Sequence, residues 1–194
     1  IKALLFLNGS PCLGHGFWSG LVTYLTSRDL LFAEAMKEKY GKSNYFLRVT
    51  EQDIEQYSIV AKLSTINERV LSYTGEFASI AELNAASDCL WYGNHLYDHF
   101  NAESIEPEKL RSLYQENSKL LNTIKNGLPE VFSYPFGQPG TCYNEETNKI
   151  MISLGAKKIF YAHRSKNLSF DNIFMHRSAV IDHYSESYMR SISC

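Results

Sequence analysis

Six histidines occur in the 194 residues, and two of them stand four apart in the stretch Gly93–His99, GNHLYDH. At that spacing on a helical turn, the imidazoles of His95 and His99 face one side and can share a cation. Neutral imidazole suits zinc and related divalent metals. The same spacing also arises by chance, so the pair reads either as a metal site or as two unrelated rings. A second stretch, FSYPFG at Phe132–Gly137, fixes its backbone at Pro135 and permits a sharp turn at Gly137. It reads as a rigid loop, or as one that aims the Phe136 backbone N–H at a developing oxyanion. His176, in NIFMHR, ends an apolar run and reads as structural or as a proton donor. Phe17 and Trp18 follow the Gly-flanked His15 and either fill a core or stack on a sugar ring. His163 and His183 have weaker contexts.

Other chemistries lack their signatures. There is no G-x-S-x-G elbow and no glycine-rich phosphate loop. Net charge is −2 with acids and bases interspersed, which argues against nucleic acid as partner. No apolar run approaches the ~18 residues of a membrane span. Cys12, Cys89, Cys142 and Cys194 are widely spaced and form no C-x-x-C, a pattern of free thiols. With no visible signal segment, this favours a reducing, cytoplasmic compartment. The chain opens directly on the strand-like IKALLFLNG without a methionine, which predicts that further residues precede it.

These residues need elements to position them. Residues 2–8 read as a strand ending in the turn cluster Asn8–Pro11. A helix is predicted over 28–40, with Ser27 as N-cap, and another from Thr50 to about Tyr73. Ser79 to Glu82 fits a capping box. Cys89–Tyr92 reads as a buried strand. Residues 107–126 carry the clearest 3.6-residue period, stopped at Gly127. Val131–Tyr134 is a strand, Asn144 caps a helix closed by Gly155, and Lys157–Tyr161 is the next strand, with strand-like runs at 172–181. This alternation predicts a single α/β domain over 1–194 with a largely parallel sheet, whose ligands gather at the strands' C-terminal ends. The segment 11–75 reads as an insertion or variable region.

Taken together and in order, IKALLFLNG, GNHLYDH, FSYPFG and NEETNKIMISLGAKKIFY resemble the polysaccharide deacetylase family, that of the NodB-homology domain. The resemblance covers residues 1–10 and 76–165. It implies a distorted (β/α) barrel that removes acetyl groups from N-acetylated or O-acetylated sugars with a divalent metal, commonly zinc. It also implies His95 and His99 as metal ligands and Phe136 as backbone oxyanion donor; Tyr134 and Pro135 on the same loop, and Trp18 from its own aromatic context outside the resemblance, are candidate substrate-binding residues. The family's Thr-Phe-Asp-Asp-Gly motif, source of the third ligand and the catalytic base, has no counterpart here and is expected upstream of Ile1. Asp98 and Asp182 are the alternative ligands to examine. Leu96 stands where the family has Ser or Thr, and Phe132–Ser133 where many members have Arg. The last motif can be read around His176 as general acid or around Arg177. A carbohydrate-binding relative without catalysis is the competing expectation.

Overall fold

The computed structural model describes residues 2–15, 17–61, 77–163, 165, 167 and 169–177. Its centre is a sheet of five parallel strands: β1 (Ala3–Leu7), β2 (Leu90–Asn94), β3 (Gly127–Ser133), β4 (Lys158–Ala162) and β5 (Phe174–Arg177). They lie side by side in chain order. Parallel neighbours require crossovers. Those after β2 and β3 run through α6 (Pro107–Leu121) and α7 (Glu145–Ser153). The α/β class and the parallel sheet are as the alternation predicted.

The sheet is curled. Phe6 on β1 and Phe160 on β4 bring their ring centroids to 5.3 Å. Three strand spacings in a flat sheet would separate them by about 14 Å. Gly93 on the intervening strand makes room, since a Cβ there would meet the Phe6 ring at 2.8 Å. The curl encloses an inner face, as in a barrel. Among the described residues β1 and β5 do not pair, so the sheet stays open. Its outer face packs on α6 and α7 through Leu110, Leu113, Tyr114, Phe132, Ile150, Met151 and Ile159, all buried.

Local signals explain most boundaries. The Ser79 capping box opens α5 (Ile80–Ala85), with the Ser79 side chain accepting from Glu82 N–H and Glu82 accepting from Ser79 N–H. Asn144 caps α7 through Thr147 N–H. Helix α6 begins with Pro107 at its first position and ends at Leu121, short of the expected Asn126. Asn126 turns the chain at φ 59° and Gly127 opens β3. A Cβ at Gly127 would lie 2.0 Å from the Leu121 carbonyl oxygen.

The segment taken as an insertion folds into a helical lobe between β1 and β2. It holds α1 (Gly9–Cys12), α2 (Trp18–Arg28), α3 (Leu30–Tyr40) and α4 (Glu51–Ala61). Val22, Leu25, Phe32, Met36, Val49 and Ile54 form its own core. Two expectations are corrected here. The sequence LGHGFW reads as one loop carrying Phe17 and Trp18, but Trp18 begins α2. The N-cap of α3 is Asp29, not Ser27, since the Asp29 carboxylate accepts from Leu31 and Phe32 N–H at 3.1 Å. The expected helix after Thr50 is present through Ala61; its continuation to Tyr73, and the strand beyond Arg177, lie outside the described residues.

Candidate active site at the strand ends

β2 ends at Asn94, and His95 is the next residue. The pair expected on a helical turn sits instead on a loop, where Leu96 takes φ 64°. A bulky residue such as leucine is strained at positive φ, so the conformation must be imposed. Asn94 imposes it. Its fully buried side chain accepts from Leu96 N–H at 2.9 Å and donates to the Tyr114 carbonyl and the Ser118 hydroxyl on α6. Asn117 donates to Asn94 Oδ1 and to the Leu7 carbonyl. From β1, Asn8 donates to the His95 and Leu96 carbonyls at 2.6 and 3.1 Å. Three asparagines thus lock the ends of β1, β2 and α6 around the histidine loop.

The outcome is a convergent pair. The His95 and His99 centroids are 4.8 Å apart, edge to face. His95 Nδ1 lies 2.6 Å from the Ser133 carbonyl. A carbonyl only accepts, so Nδ1 carries the proton and Nε2 keeps its lone pair. His99 Nδ1 is buried and has no partner among the described residues. Burial, reinforced by the charge of His99 and then of Arg177, holds His95 down to about 3. Burial, with Arg177 adding to it, holds His99 down to about 4. Both rings are therefore neutral at physiological pH.

The FSYPFG loop closes over the pair. Phe136 has φ 61° and Gly137 φ 80°. The Phe136 ring stands 4.7 Å from His99, and its N–H donates to none of the described residues. Arg177 braces the loop from β5, where Nη2 donates to the Tyr134 and Phe136 carbonyls at 3.0 and 3.3 Å. Its Nε is buried without a partner among the described residues.

The remaining expected residues fall elsewhere. Tyr134 is fully buried; it stacks on Tyr143 and its hydroxyl donates to Asn148, so it is a core residue rather than a substrate contact. Pro135 is buried as well. His176 does not reach the pair. Adjacent strand residues point to opposite faces, and Arg177 takes the inner one while His176 packs on Tyr161 and His163. Trp18 is half-buried and stacks on Phe100 at 4.5 Å. It also lines a shallow pocket with Thr23, Phe46, Val49, Asn101 and Phe136. Asn8, Asn94, Asn117 and the bracing role of Arg177 were not anticipated. An asparagine at the end of each of two apolar strands was the available signal.

A metal is partly matched by these residues. Two neutral imidazoles at this separation, one fixed by a carbonyl and one with an orphaned ring nitrogen, fit a shared cation. Among the described residues, however, no group of three or more His, Cys, Asp or Glu is placed to hold one. Asp98 does not complete the pair, and Asp182 lies outside the described residues.

No family model matches the sequence, and no curated protein matches it. The fold is similar to that of the deacetylase PplD of Streptococcus pyogenes, solved in complex with acetate. That match has a TM-score of 0.51 at 9% identity and covers 98% of this chain and 97% of that one. A de-N-acetylase of Aggregatibacter actinomycetemcomitans aligns with a TM-score of 0.49 at 9% identity, over 99% and 98% of the two chains. At such identity the likeness to PplD is one of fold.

Proposed function

We propose that this chain is a metal-dependent deacetylase acting on N-acetylated sugars of a glycan, with His95 and His99 as two ligands of the metal. The observation that carries this reading is the convergence of two neutral imidazoles at the C-terminal rim of the sheet, beside the Phe136 loop, whose N–H has no partner among the described residues. A bound divalent ion, zinc by the chemistry of its ligands, would supply Lewis acidity and an activated water. This chain's residues do the rest. His95 is oriented by Ser133 and its loop by Asn8 and Asn94. The Phe136 N–H donates to the acetyl oxygen as negative charge builds there. Arg177 holds the Phe136 peptide at that angle through its two carbonyl contacts. The pocket beside Phe136, with Trp18 at its wall, receives the sugar.

The test is acetate release from an N-acetylated oligosaccharide, with and without a chelator. Release that stops with chelator and in both His95→Ala and His99→Ala supports the proposal; release unchanged in the double alanine protein overturns it. One observation favours a second reading, binding without hydrolysis: among the described residues no carboxylate joins the pair, while the Arg177 guanidinium does. That reading expects glycan binding that a chelator leaves unchanged, and no acetate.

A further inference from the structure

The rim of β4 and β5 carries a second pair of imidazoles, separate from His95 and His99. His163 directly follows β4 and His176 lies on β5, and their ring centroids are 5.1 Å apart at 40°. Two imidazoles bound to one tetrahedral ion through metal–nitrogen bonds of about 2.0–2.1 Å stand with ring centres roughly 5 Å apart. The observed separation meets that requirement without any movement of the backbone.

Three further contacts prepare the pair. His176 Nδ1 is buried and has no partner among the described residues, an arrangement that protein interiors rarely leave unused. The backbone of His176 is clamped by Asn167, which accepts from its N–H at 2.8 Å and donates to its carbonyl at 3.0 Å. Tyr161 packs edge-on against the same ring at 4.9 Å. Across from it, the Ser165 hydroxyl engages His163 Nδ1 at 2.9 Å, which leaves Nε2 of that exposed ring for a ligand. A hydroxyl holding the far nitrogen of a ligating imidazole is a common outer-sphere support.

We infer that His163 and His176 form a binding site for one late first-row divalent cation, distinct from the His95–His99 pair. With two imidazoles and solvent as ligands, the site favours Cu2+ over Ni2+ and Zn2+. It needs neither substrate nor the loop around Phe136, so it stands or falls independently of deacetylation.

The experiment uses the full chain and Cu2+ alone. Titration calorimetry gives the stoichiometry, and electron paramagnetic resonance counts the coordinated nitrogens. In the His95→Ala/His99→Ala protein, one equivalent of Cu2+ with two nitrogens is expected. Adding His163→Ala should weaken it at least tenfold and remove one nitrogen. His176→Gln should do the same, with circular dichroism confirming the fold; because His163 is exposed, His163→Ala decides the matter if His176→Gln unfolds. Absence of that equivalent in the double variant, or binding indifferent to His163→Ala, overturns the inference.

Discussion

His95 is presented to the cleft by groups that never touch a substrate, and its loop depends most on Asn94. Replacing Asn94 by Leu keeps the volume but strands the Leu96 N–H and the α6 carbonyl and amide partners. Each buried group left unpaired costs about 1–3 kcal/mol, so Asn94→Leu should lose about 3 kcal/mol in urea unfolding and, on the proposed function, lower acetate release. On the proposed function, His95→Ala and His99→Ala should each lower acetate release by at least about 100-fold, read as kcat/KM, with circular dichroism confirming the fold. At this scale the sequence was informative about types and poor about directions. The histidine spacing marked the pair, yet the helical turn invoked to bring the rings together is a strained loop. A four-residue spacing does not record who holds a positive φ; here that is an asparagine side chain, whose role depends on α6 some twenty positions away. His176 and Arg177 are adjacent in sequence, and only the strand's alternation, anchored by Arg177 on the Tyr134 carbonyl, decides which of them faces the cleft.

Elements divide in the same way between local and distant causes. The capping boxes at Ser79 and Asn144, and the apolar stripe of α6, are written within a few residues and appear where the sequence places them. Helix α2 is not, because WSGLVTYLTSR mixes glycine with β-branched residues of low helical propensity. It is stabilised by packing Val22 and Leu25 against Phe32, Met36 and Ile54, contacts no local pattern contains. Two elements yield predictions. In the loop after β3, a Cβ on Gly137 would meet Ala162 N at 2.9 Å and Arg177 Nη2 at 3.0 Å, at φ 80°. Gly137→Ala should therefore cost about 1–3 kcal/mol, measured by thermal melting, and should disturb the Phe136 peptide. In the lobe, Asp53 is buried where α3 meets α4, accepting from Lys39, Tyr40 and Thr50. Burial alone would raise its pKa, but those donors win and hold it below the usual 3.8. Its folded value lies below its unfolded one, so the stability it contributes is present above about pH 3.8 and is lost as pH falls through the folded value. Asp53→Asn should be less stable at neutral pH, and its melting temperature should change less than the wild type's over that acid range.

For the whole molecule, the alternation of strand and helix was enough to predict an α/β fold with a parallel sheet, and the strands follow chain order as such alternation suggests. The alternation alone does not reveal the curl, which only the resemblance to a barrel-forming family implied. The curl depends on Phe6 meeting Phe160 across the inner face, a contact between residues on the first and fourth strands that only the assembled sheet creates. Nor was it visible that α2, α3 and α4 share their own core, because their apolar faces meet one another. Among the described residues of these helices, Trp18 packs against both this core and that of the sheet. Trp18→Ala should therefore raise KM for an oligosaccharide severalfold with kcat within about threefold, since it removes a pocket wall and leaves the histidines in place. That division bears on descent as much as on binding. A lobe that leaves the framework after one strand and rejoins it before the next can be trimmed, lengthened or exchanged between lineages as a unit.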